Sequence, residues 1–136
     1  MTDCIFCKII KGDLNSYTIF EDDKFKAFLD ILPSNHGHTL IVPKVHVENI
    51  FEIDESYTAL PLIKKVAKAL KEITGCTGIN ILQNNGADAG QTIFHYHIHV
   101  IPRYEYDKIR MNPPFIDPKP TEKDFIDMAE KLQKKL

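Results

Sequence analysis

Apolar and polar positions alternate or recur along this chain in ways that mark its elements one by one. A short helix is predicted over Cys4 to Lys11, closed by Gly12, the residue that most readily takes a left-handed cap. Tyr17 to Phe20 and Phe25 to Leu29 read as strands around the turn-like Glu21-Asp22-Asp23, and His38 to Val42 as a third strand stopped by Pro43. Leu62, Ile63, Val66, Ala69, Leu70 and Ile73 recur at helical spacing, predicting a long amphipathic helix capped by Asp54 and followed by Gly75. Ile79 to Leu82 is a fourth strand, Asn84 to Gly90 a turn-rich loop, and His97 to Pro102 a fifth strand. Pro113, Pro114, Pro118 and Pro120 mark an extended segment, after which Thr121 caps a last helix through Leu136. Strands gathered around one long helix predict an α+β domain on a five-stranded antiparallel sheet with a C-terminal helix. No repeat or linker divides the 136 residues, so a single domain 1–136 is expected.

Composition narrows the function classes. An apolar content of 43% with 26% charged residues is that of an ordinary globular protein, and a net charge of −2 gives no reason to expect nucleic-acid binding. No apolar run approaches the ~20 residues of a membrane span, and the N-terminus carries no secretory pattern. Three cysteines, two of them in Cys4-Ile5-Phe6-Cys7, argue against a disulfide framework and for a cytoplasmic location.

Candidate chemistry is concentrated in His95-Tyr96-His97-Ile98-His99, which holds half of the six histidines. On an extended strand these three rings share one face, while Tyr96, Ile98 and Val100 share the other. Such a row suits a metal, as His-x-His ligands, or nucleophilic and acid–base work on a phosphate. The preceding loop, with Gly86, Gly90, Gln91 and Thr92, offers small donor-rich turns that fit anions, and no acidic metal ligand follows the histidines; phosphate chemistry is favoured. Cys4 and Cys7 have the spacing of a zinc knuckle, of a redox pair, or of two buried cysteines. Cys76 reads as a small core residue and His36 as a loop residue.

His95 to Ile101 fits the His-φ-His-φ-His-φ-φ signature in every position, and the chain resembles the histidine triad (HIT) family, Hint-type bacterial members in particular. The likeness extends through Cys4-Ile5-Phe6-Cys7, Ala27-Phe28-Leu29-Asp30-Ile31, Gly37-His38-Thr39-Leu40-Ile41-Val42-Pro43-Lys44 with His46, and Asn84-Asn85-Gly86 before Gly90-Gln91-Thr92. It covers residues 4–103; residues 104–136 carry no motif of the family.

The resemblance implies a HIT-like fold, a homodimer, and a hydrolase that attacks the α-phosphate of purine nucleoside phosphoramidates or adenylated amines. Its alternatives are a diadenosine polyphosphate hydrolase, a nucleotidyl transferase, or a nucleotide-binding regulator of low turnover. It implies His97 as nucleophile, held in its reactive tautomer by the carbonyl near His95, with His99 and His38 assisting at the phosphate. By the same resemblance Asp30 would take the ribose hydroxyls and Phe6, Ile9, Phe28 and Ile31 would sandwich an AMP- or GMP-like base. Asn84, Gly90, Gln91 and Thr92 would serve the phosphates and leaving group. Cys4, Cys7, His46 and His95 would hold one structural zinc per subunit, with no organic cofactor.

Overall fold

A computed structural model describes residues 3–111 and 113–136 of the chain. Helix α1 (Ile5–Lys11) is followed by strands β1 (Thr18–Glu21), β2 (Phe25–Leu29) and β3 (Thr39–Pro43). Helix α2 (Leu60–Thr74), β4 (Gly78–Leu82), β5 (Ile98–Arg103) and α3 (Glu122–Lys135) complete the order. The five strands form one antiparallel sheet in the order β1-β2-β3-β5-β4, so the α+β expectation holds.

Period-two alternation sorts the core onto the two faces of this sheet. Phe25, Ala27, Ile41, Ile98 and Val100 meet Leu62 and Val66 of α2 on one face, with Tyr96 packed against them. Phe28, Leu40 and Val42 meet Phe6 and Ile9 of α1 on the other. Covered on both sides, β3 is buried at every position, which is why its sequence is a continuous apolar run. Neighbouring β5 turns Ile98 and Val100 toward α2, so its histidines necessarily turn toward α1.

Several predicted strand ends shift by one residue, and β3 runs through Pro43, which pairs with Phe25, rather than stopping before it; two other changes have a local physical cause. The long helix begins at Leu60, not after Asp54. Asp54 instead accepts a hydrogen bond from the amide of Ser56 through its carboxylate (2.8 Å) and one from Tyr57 through its carbonyl (3.0 Å), closing a local turn. Pro61, which needs no donor, then sits in the first turn of α2. The fifth strand pairs from Ile98, leaving Tyr96 and His97 just ahead of the ladder and His95 at the end of a bend. There the carbonyl of Val47 accepts from the amide of Tyr96 (2.7 Å), and this loop contact holds the segment in line.

Gly37 (φ +92°) presses the loop before β3 against the sheet end. A Cβ there would lie 3.2 Å from both Leu70 Cδ2 and Pro102 Cγ, so only glycine lets the loop close on α2 and β5. Beyond β5, Asp107 ties the chain down: its carboxylate accepts from Arg103, from Asn35 Nδ2 (3.0 Å) and from the amide of Tyr104 (2.8 Å).

Candidate active site and metal centre

The histidine face of β5 meets α1 in two adjoining clusters. In the first, Cys4 ends the chain's approach to α1 and its Sγ accepts the amide of Cys7 (3.4 Å), so the Cys-x-x-Cys spacing places both sulfurs at one helix N-terminus. Against them lie His46, from the loop after β3, and the fully buried His95. The separations are 3.4 Å from Cys4 Sγ to His95 Nδ1, 3.3 Å from Cys7 Sγ to His46 Nδ1 and 3.6 Å from Cys7 Sγ to His95 Nδ1. His46 Nδ1 and His95 Nδ1 are 3.1 Å apart.

A tetrahedron with Zn–S near 2.3 Å and Zn–N near 2.05 Å has S–N edges of about 3.6 Å and N–N edges of about 3.3 Å, so the donor set fits zinc closely. Burial, then the neighbouring Cys4, pushes the Cys7 thiol up, whereas a cation at the centre of the four donors would favour the thiolate. His95 Nε2–H donates to the Pro43 carbonyl (2.9 Å), which leaves Nδ1 with its lone pair facing the sulfurs. Donation to a backbone carbonyl is how a metal-bound histidine is ordinarily oriented.

The second cluster shares the same backbone. His97 Nδ1–H donates to the His95 carbonyl at 2.7 Å, so its Nε2 keeps a free lone pair. His38 Nδ1 accepts the amide of Ser34 (2.9 Å) and must therefore carry its proton on Nε2, which donates to His99 Nδ1 (2.9 Å). His99 is left as the Nε2–H tautomer. One backbone amide and one backbone carbonyl thus give two neighbouring rings, 4.9 Å apart between centroids, opposite characters: an unprotonated nitrogen on His97 and an N–H donor on His99.

Burial holds all of these rings neutral. It lowers His97, against the raising influence of the His95 carbonyl and Asp30, and lowers His38 against Asp30. Burial, helped by His97 and His38, pushes His99 down to about 4. Burial likewise takes His95 to about 4.

His97 and His99 open onto a cleft of about 550 Å3 between α1 and β2. Phe6, Ile9, Phe28, Asp30, Ile31 and Thr92 line it, as do Ser16 and Leu32, which no motif singled out. Phe6 stands edge-on to Phe28 (5.7 Å) and to His97 (5.1 Å), a flat apolar wall beside the imidazoles. Ile9 is both core and wall, 8% exposed. Asp30 reaches within 3.6 Å of His38 Nε2, and its other oxygen accepts from the amide of Leu32 (2.9 Å).

Asn84, Gly90 and Gln91 do not line this cleft. The amide of Gln91 is committed inward: Oε1 accepts from the Gly86 amide (2.8 Å), and Nε2 donates to the carbonyls of Glu48 (2.6 Å) and Ile93 (3.1 Å). Asn84 Nδ2 donates to the Gly90 carbonyl (3.4 Å). These residues shape the loop that carries Thr92. Ser34 and Pro43, which fix two of the four tautomers, act through backbone atoms and have no side-chain signature.

The cleft thus pairs the lone-pair nitrogen of buried His97 with the N–H donor of half-buried His99 beside an apolar wall, an arrangement with the parts that nucleophilic chemistry at a histidine needs. The chain belongs to the HIT domain family, which its residues 11–106 match. It is 46% identical over 104 residues to Protein hit of Bacillus subtilis, covering 75% of this chain and 72% of that protein. It is 45% identical over 102 residues to adenosine 5'-monophosphoramidase hnt1 of Schizosaccharomyces pombe, 74% of each chain. It is 46% identical over 107 residues to adenylylsulfatase HINT3 of Arabidopsis thaliana, covering 77% of this chain and 54% of that one.

Among solved structures, a HIT-family member from Bacillus subtilis superimposes with a TM-score of 0.87 at 38% identity, covering 98% of this chain and 97% of that one. A zinc-bound histidine triad protein from Mycobacterium smegmatis gives 0.76 at 33% identity, covering 99% of each chain. No described helix is long and apolar enough to cross a membrane.

Proposed function

We propose that this protein hydrolyses purine nucleoside 5'-phosphoramidates and adenylated amines at the α-phosphate, through a nucleotidyl-His97 intermediate that releases a nucleoside monophosphate. The observation that carries the proposal is the opposed tautomers of His97 and His99 on one cleft. His97 Nε2 attacks phosphorus while His99 Nε2–H donates to a phosphate oxygen, and the P–N bond breaks as the leaving nitrogen takes a proton from solvent and departs as the amine. The nucleotidyl imidazole keeps its Nδ1–H on the His95 carbonyl, so its positive charge is met by an oriented dipole. Water then attacks phosphorus, the bond to His97 Nε2 breaks and the proton from water passes to solvent, so both rings end in their starting tautomers. Neutral imidazoles near pH 7 meet both requirements, a nucleophile on one ring and a hydrogen-bond donor on the other.

Phe6, Phe28, Ile9 and Ile31 would hold the base, Asp30 the ribose hydroxyls, and Thr92 the phosphate or leaving group. The family relatives that act on AMP amides and adenylyl sulfate support this class of substrate. Cys4, Cys7, His46 and His95 would hold zinc, whose role there is to pin α1, the His46 loop and the histidine segment together. The centre is closed by four protein donors, so the cleft chemistry falls to the imidazoles. The protein would act in the cytoplasm as a homodimer, a reading favoured by α3, none of whose residues is buried.

A panel presenting one AMP moiety on amine, phosphate and nucleotide leaving groups tests the substrate class. Highest kcat/KM on the amines supports it. Preference for the dinucleotide would replace it with a diadenosine polyphosphate hydrolase.

A further inference from the structure

Among the described residues, two apolar surfaces have no cover. The first is α3, a 14-residue helix with no buried residue. Phe125, Met128, Leu132 and Leu136 recur along one stripe of it, and the first three are 55%, 56% and 52% exposed. A helix of ~14 residues is marginal in water without a packing partner, so its stability must come from something it touches. The second is a groove of about 710 Å3 on the α2 side of the sheet. One flank of α2, with Val66, Ala69 and Ile73, forms one wall, and Ile19 and Leu29 of β1 and β2 form the other. Ile73 is 82% exposed at its rim.

We infer that α3 of one copy lies in this α2–β1–β2 groove of a second copy, and that the exchange is reciprocal. This rests on the homodimer reading above and assigns a surface to it. Charge argues for the match. Lys65 of α2 lines the groove, with Lys68 one turn further along the helix, while the first half of α3 carries Glu122, Asp124 and Asp127 against Lys123 alone. Laid parallel to α2, α3 sets its acidic half along these lysines and its apolar stripe over Ala69 and Ile73. No residue of α3 lines the groove of its own chain, which favours the groove of a second copy as its seat. A helix about 21 Å long and about 10 Å wide removes on the order of 800 Å2 over both surfaces, so two reciprocal contacts reach the ~1,600 Å2 typical of a stable interface.

The test places p-benzoylphenylalanine at position 125 in a mixture of full-length light and 15N-labelled chains, exchanged and then irradiated. Mass spectrometry maps the crosslinks, and sedimentation gives the assembly state. The expected result is a dimer with crosslinks from position 125 to residues 19–29 or 62–73 of the differently labelled chain. Leu132→Glu should cut them at least tenfold with nucleotide hydrolysis retained. Crosslinks confined to one chain, crosslinks elsewhere, or their absence in a sedimenting dimer overturn the docking and leave the homodimer reading standing. A monomer overturns both. Co-sedimentation of the protein with phosphatidylglycerol vesicles, abolished by Leu132→Glu, would assign the stripe to lipid and overturn the exchange.

Discussion

Replacing His99 with Gln should flatten the dependence of stability on pH by a calculable amount. Burial, with His97 and His38 beside it, holds His99 down to about 4 in the folded chain. The same side chain titrates near ~6.5 when unfolded. A depressed histidine pKa means that the unfolded state binds the extra proton first, so stability is intact above ~6.5, falls as pH drops toward 4, and levels off below it. At pH 5 the unfolded histidine is almost fully protonated while the native ring is about nine-tenths neutral, a difference that costs about 2 kcal/mol relative to pH 7.5. Urea unfolding of the wild type and His99→Gln at pH 7.5 and 5.0 isolates this contribution, because proton uptake at the other histidines enters both proteins. The variant should lose about 2 kcal/mol less than the wild type over that interval. Equal losses in the two proteins would refute the claim that His99 is held neutral by burial.

Two further perturbations separate the zinc cluster and the loop anchor from the cleft. Cys7→Ala should lower zinc from about one equivalent per chain to almost none by elemental analysis and lower Tm, with kcat at 25 °C within severalfold of wild type, since a closed four-donor site does not reach the reacting phosphate. Asp107→Ala removes the acceptor shared by Arg103, Asn35 and the amides of Tyr104 and Ile109, and should lower the urea midpoint more than Asp107→Asn, which keeps one carbonyl acceptor.

What the chain discloses in one dimension follows from which interactions are periodic. Alternation put His95, His97 and His99 on one face and Tyr96, Ile98 and Val100 on the other, because a strand covered on both sides leaves no freedom to do otherwise. The helical stripe from Leu62 to Ile73 was equally plain. Asp54 misled because an acidic residue that closes a local turn and one that caps a helix look the same until the chain beyond them is placed. Gln91 carries two donors and an acceptor wherever it lies, and only the fold shows that Gly86, Glu48 and Ile93 use them. The tautomers of His38, His95 and His97 are set by the Ser34 amide, which any residue but proline could supply, and by the Pro43 and His95 carbonyls, which any residue could. The ligand set Cys4, Cys7, His46 and His95 was implied by family likeness rather than by spacing, since His46 and His95 are 49 residues apart and meet only through the fold.

The central claim is that the lone pair left on His97 Nε2 forms the bond to phosphorus. Mixing enzyme with an AMP phosphoramidate, quenching in alkali to preserve the acid-labile P–N bond, and sequencing the adduct by mass spectrometry tests it directly. The account predicts an adenylyl group on His97 that forms and decays at rates compatible with turnover and is absent from His97→Ala. An adduct on His99 or His38, or full turnover by His97→Ala, would contradict it.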